Sequence, residues 1–109
     1  MPDAIEVFNL GVAYFEEDDL VLALEAFDRA VKIDPSLAVA HNGRAVVHAL
    51  NGELQRAIAE STEALRLDPS EPKFYRTRGL IYRELGDARS AESDLEQAKH
   101  LGYRPSKKA

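Results

Sequence analysis

The sequence predicts an all-α fold, a solenoid of three antiparallel helix-turn-helix units. Three observations carry that prediction. Small residues recur every 34 positions: Gly11, Ala45 and Gly79 form one column, Ala23, Ala57 and Ala91 a second, Ala30, Ala64 and Ala98 a third. Apolar residues recur between them at three- and four-residue steps, the spacing of one helix face, with no β alternation anywhere. Turn signals separate the apolar runs at matching offsets. A period of this length marks one supersecondary unit stacked on itself, so function is sought on a surface before it is sought in a catalytic centre. The small columns mark helix crossings too close for a large side chain.

The elements follow in order. Six helices are predicted near 3–17, 19–32, 36–51, 53–66, 71–85 and 87–101. Asn51-Gly52 and Leu85-Gly86-Asp87 supply a left-handed stop, then an acid at the next helix start. Asp34-Pro35-Ser36 and Asp68-Pro69-Ser70 end the second helix of a pair, because proline disfavours helix at the residue before it. Ser36 and Ser70 are the expected N-caps of the following helices. The short loops make successive helices antiparallel neighbours. Val7, Leu10, Tyr14 and Phe27 fill the flanks of the first unit, and Tyr75, Tyr82 and Leu95 those of the third. One domain is expected over residues 1–105, in units 4–37, 38–71 and 72–105, followed by a basic tail at 106–109.

Composition narrows the function classes. The chain has 109 residues, 45% of them hydrophobic, enough for one modest core and too apolar for a disordered tail. It has no cysteine, so it holds neither disulfides nor a thiolate metal site. The start, MPDAIEVF, is not a signal peptide, and no apolar run approaches a membrane span. The expected setting is the cytoplasm, with no membrane partner. There is no Gly-rich phosphate loop, nucleophile elbow or carboxylate pair in an evident pocket. No enzymatic activity, cofactor or metal is expected. His41 and His48 lie seven apart on one helix face without a third ligand at metal spacing. They are expected to be interior residues with local hydrogen bonds, Ser61 being the candidate partner of one. His100 suits a helix C-terminus.

At this point the chain resembles the tetratricopeptide repeat family. The family pattern runs aromatic, Leu-Gly, Tyr, Ala, Phe, Ala, Pro. The first unit matches as Val7, Leu10-Gly11, Tyr14, Ala23, Phe27, Ala30 and Pro35, the third as Tyr75, Gly79, Tyr82, Ala91, Leu95 and Ala98. His41, Arg44, His48, Ser61, Arg78 and Tyr103 depart from the pattern. The resemblance implies a right-handed α-solenoid whose first helices line a concave face that binds extended or helical peptides. Carried over position by position, the lining is Ile5, Phe8, Val12 and Phe15, then Val39, Asn42, Val46 and Ala49, then Lys73, Arg76, Leu80 and Arg83. Co-chaperone members clamp the C-terminal carboxylate of heat-shock chaperones with a Lys, Asn, Asn, Lys and Arg set. Those positions fall here on Phe8, Val12, Gly43, Lys73 and Thr77. Only Lys73 agrees, so that activity is not expected, and another acidic ligand stays open.

The expected groove is therefore apolar at its first end, mixed in the middle and basic at its far end. Phe8, Val12 and Phe15 form a stripe beyond the inward set, the kind of contiguous apolar surface that suggests a binding site. The bases can take carboxylates, Arg through forked donors and Lys as a point charge. The expected partner is a peptide or protein with an apolar anchor and acidic groups or a free C-terminus. Net charge is −5, but 1–37 carries −7, 38–71 carries −2 and 72–109 carries +4. That gradient reads either as a drifting solvated surface or as one that orients a charged partner. It also leaves open a self-associating module joined head to tail, which salt would weaken. Nucleic acid is not an expected partner, because the net charge is acidic and Arg76, Arg78, Arg83 and Arg89 alone would have to carry it. At the two ends, Glu6, Ala13 and Glu17, and Ala88, Glu92 and Lys99, stand where inner units are apolar. A self-capped three-unit module is expected from these polar faces.

Overall fold

The computed structural model describes residues 1–103. Six helices, α1 (Ala4–Glu16), α2 (Leu20–Ile33), α3 (Ala38–Leu50), α4 (Leu54–Leu67), α5 (Pro72–Leu85) and α6 (Ala88–His100), follow one another. The order is the one the 34-residue period predicts. The expected tail at 106–109 and the last residues of the third unit, 104–105, lie outside the described residues.

Each unit pairs its two helices, and α2 packs on α3 and α4 on α5. The first helices also touch along the stack, α1 to α3 and α3 to α5, whereas α2 and α4 do not meet, nor α4 and α6. The stack is therefore tighter on the first-helix side, which makes that side concave. Every alanine of the small columns is buried, at 3% exposure or less. A Cβ at Gly11 would stand 2.6 Å from the Phe27 ring, and one at Gly79 would stand 2.9 Å from Leu95 Cγ. In the middle unit Ala45 has that Cβ, and Ser61 replaces the large residue at the matching offset. Ser61 is fully buried and donates its hydroxyl to the Ile58 carbonyl at 3.0 Å. It bonds neither histidine, contrary to expectation: the site is a size match for Ala45, and the hydroxyl is satisfied within its own helix.

The turns differ from the sequence reading in detail. Gly52 (φ 79°) and Gly86 (φ 89°) take the left-handed conformation, and Asp18 takes it at the equivalent place in the first unit (φ 61°). Asp19 and Asp87 then cap α2 and α6 by accepting from Leu22 N–H at 3.1 Å and Ser90 N–H at 3.1 Å. Ser36 and Ser70 are not N-caps. Asp34 accepts from Ser36 N–H and hydroxyl at 3.0 and 2.7 Å, and Asp68 likewise holds Ser70 at 3.3 and 3.0 Å. These Asx turns use the serines before a helix begins, and the hydrogen bonds from Ser36 hold the Asp34 carboxyl below the usual carboxylate range. The caps are Leu37, without a side-chain bond, and Glu71. Leu10 is 42% exposed and Leu85 39% exposed, so neither belongs to the interior, while Phe74 and Ile81 are buried. Among the described residues no helix is long and apolar enough to cross a membrane.

Candidate functional site: the concave face

The concave face is built by α1, α3 and α5. Phe8, Val12 and Phe15 fall on one side of α1 because their spacing is four and three residues, one helix face. They meet Val39, Asn42 and Val46 of α3 across a hollow of about 320 Å³. Phe27 of α2 forms its base, and Lys73 and Phe74 of α5 close its far side. The Phe8 and Phe27 rings stack at 5.5 Å between centroids, tilted by 35°. Gly43 makes that approach feasible, since a Cβ there would lie 3.0 Å from the Phe27 ring. Seven of the twelve groove positions read from sequence thus converge on one hollow.

The others are dispersed. Val46 also borders a second hollow of about 490 Å³, shared with Arg76, Leu80 and Glu84 of α5. Arg76 and Arg83 line a third, against Leu95 and Lys99 of α6 and Tyr103. Ile5 is 58% exposed and lines none of these three. The three bases expected at the far end therefore do not share one pocket. Lys73 starts α5 and Arg83 stands ten residues on, about 15 Å along the axis at 1.5 Å per residue. Glu84, Glu92 and Glu96 also border the hollows that Arg76 and Arg83 line.

Charge and hydrogen bonding single out two polar groups in the first hollow. Lys73 is exposed and enters none of the ion pairs among the described residues. Asn42 Oδ1 is buried without a hydrogen-bond donor among the described residues. Arg76 lies over the Tyr103 ring, 5.0 Å from its centroid.

The residues that break the repeat pattern do different work. Arg44 donates to Glu60 of its own unit at 2.9 Å and to Asp28 of the preceding unit at 3.3 Å. Arg78, one period later, donates to Asp94 at 2.7 and 2.9 Å and to Thr62 at 3.3 Å. The same clip thus ties both junctions between units. The hydrogen bonds to Asp94 raise the Arg78 guanidinium above its ordinary range. Arg78 is therefore committed to the interior and is not free for an anionic polymer. Sequence reading passed over these clips, although an acid follows each arginine by sixteen residues in both units. His41 is 6% exposed, with Nδ1 at 3.0 Å from Glu60 Oε1 and Nε2 at 2.9 Å from the Pro35 carbonyl. Both partners are hydrogen-bond acceptors. His48 Nδ1 meets Glu53 at 3.0 Å. The histidines are interior and locally bonded, as expected, but to carboxylates. Among the described residues no three His, Asp or Glu side chains form a metal site.

Stacked helix pairs with a concave, side-chain-lined face define a helical-repeat protein. Models described as tetratricopeptide repeat match residues 4–37, 38–72 and 72–100, and the chain belongs to the tetratricopeptide repeat family. It is 32% identical over 95 residues to the TPR repeat-containing thioredoxin TTL4 of Arabidopsis thaliana, matching 87% of this chain and 14% of that protein. It is 34% identical over 100 residues to the Protein SGT1 homolog of Oryza sativa subsp. japonica, matching 92% of this chain and 26% of that protein. The chain thus spans a minor part of both relatives. Among solved structures, the second TPR of Spaghetti (RPAP3) bound to HSP90 peptide SRMEEVD aligns with a TM-score of 0.86 and 27% identity, over 91% of this chain and 92% of that one.

Proposed function

We propose that this chain is a non-enzymatic interaction module that binds a peptide or partner-protein segment along its concave face. The apolar end of the groove lies at the first repeat, and carboxylate-accepting bases lie toward the third. The observation that carries the proposal is the hollow of about 320 Å³ in which Phe8, Val12, Phe15, Val39 and Val46 present apolar surface beside Lys73, which enters no ion pair among the described residues. Small apolar concavities with a few convergent polar groups are the usual form of a binding site. Spaghetti's second repeat domain, with its bound HSP90 peptide, supports peptide binding as the activity. Phe8 and Val12 stand where the family's clamp for a heat-shock chaperone C-terminus has Lys and Asn, which argues against that particular ligand.

The test is capture from a peptide library by the intact chain, by Val39→Asp and by Arg76→Glu with Arg83→Glu. Val39 is 38% exposed in the first turn of α3, where an acid is tolerated by the helix dipole, so this variant should fold. Val39→Asp should abolish capture of ligands with apolar anchors, and the double arginine variant should weaken acidic ones. Ligands captured equally well by all three proteins would show that the groove is not the binding surface.

A further inference from the structure

We infer that the hollow between α1 and α3 selects an internal acidic segment through one bulky apolar side chain, with a side-chain carboxylate of that segment on Lys73. The segment's terminal carboxylate is not read. This rests on the peptide-binding function proposed above and narrows it to a ligand class.

The lining chemistry supports this choice. Of the described residues around the hollow, only Asn42 and Lys73 are polar, and Lys73 bears the single charge. A terminal carboxylate has two oxygens and is held well where several charge-assisted donors, or an arginine fork, converge on it. One ammonium and one amide among aromatic and valine side chains cannot supply that set. The nearest arginine of the groove, Arg76, lines the next hollow and is stacked on Tyr103. Binding strength must then come from burying apolar surface, and Lys73 contributes selectivity for acidic neighbours. The volume, about 320 Å³, lies at the lower limit of ligand pockets, which begin at about 300 Å³, and suits one large side chain. Asn42 adds a second pointer. Its Oδ1 is buried with no donor, and a backbone N–H of an extended segment would provide one once the amide turns toward it. A backbone donor is available all along an internal segment.

The experiment is a fluorescence-anisotropy titration of the full chain with short probes of glutamate, glycine and serine, each with one central phenylalanine, leucine or methionine and with both ends blocked. At least one blocked probe should bind, and replacing its central apolar residue by serine should weaken binding about tenfold or more, as loss of one buried apolar side chain predicts. Freeing the C-terminus should leave binding unchanged. Lys73→Glu, an exposed substitution, should lose the glutamate probe and gain the same probe with lysines in place of glutamates. Binding that needs the free carboxylate and ignores the central residue would overturn the inference while leaving the groove as the peptide site. If no probe binds, blocked or free, and the peptides captured from the library are indifferent to Val39→Asp, the inference and the proposed function both fail.

Discussion

Gly11 and Gly79 occupy the same column but not the same surroundings. At Gly11 an added Cβ meets the Phe27 ring at 2.6 Å, and Phe27 is 3% exposed and stacked on Phe8. At Gly79 it meets Leu95 Cγ at 2.9 Å, on a side chain that can change rotamer. Overpacking costs about 1–3 kcal/mol, set against about 1 kcal/mol gained in helix propensity. Gly11→Ala should therefore lower stability measured by urea unfolding by about 1 kcal/mol, and Gly79→Ala should be close to neutral. Asp18 presents the converse case: it adopts φ 61° where the other units have glycine, and its side chain is exposed. Asp18→Gly should stabilise by about 0.5–1 kcal/mol, read as a raised thermal midpoint. The small columns were legible because glycine and alanine record crossings directly. Ser61 was not, because its meaning lies in the Cβ of Ala45, a relation between two helices that sequence spacing does not display. The serines of the Asp-Pro-Ser turns resemble caps in sequence, but the aspartate two residues earlier accepts their N–H and hydroxyl.

Helices were legible as elements, with most ends displaced by one or two residues. What holds one unit to the next was not. Arg44 and Arg78 look like departures from an apolar pattern, yet each bridges its own second helix and the preceding one. The first unit places the apolar residues Leu10 and Ala26 at those offsets. Removing Arg78 alone leaves Asp94, whose side chain is 7% exposed, as a buried unpaired charge. Arg78→Leu should cost about 3 kcal/mol in urea unfolding. The double change Arg78→Leu with Asp94→Ala copies the first unit and should recover at least half of that loss. A double variant no more stable than the single one would mean that the clip is not an isolated pair.

Across the whole molecule, curvature follows from the first helices touching where the second ones do not, and that curvature turns Phe8, Val12 and Phe15 toward α3. The stripe was visible in the sequence, and so was the basic character of the third unit. The division of the bases among separate hollows was not, because it depends on how far along α5 each one stands. The proposed function requires that ligands enter from the concave side at the first two repeats. Amide chemical-shift mapping by NMR, on titrating the intact chain with a captured peptide, tests this most directly. Shifts concentrated on Phe8–Phe15, Val39–Val46 and Lys73 are the predicted result. Shifts concentrated on α2, α4 and α6, with the concave residues unmoved, would contradict it.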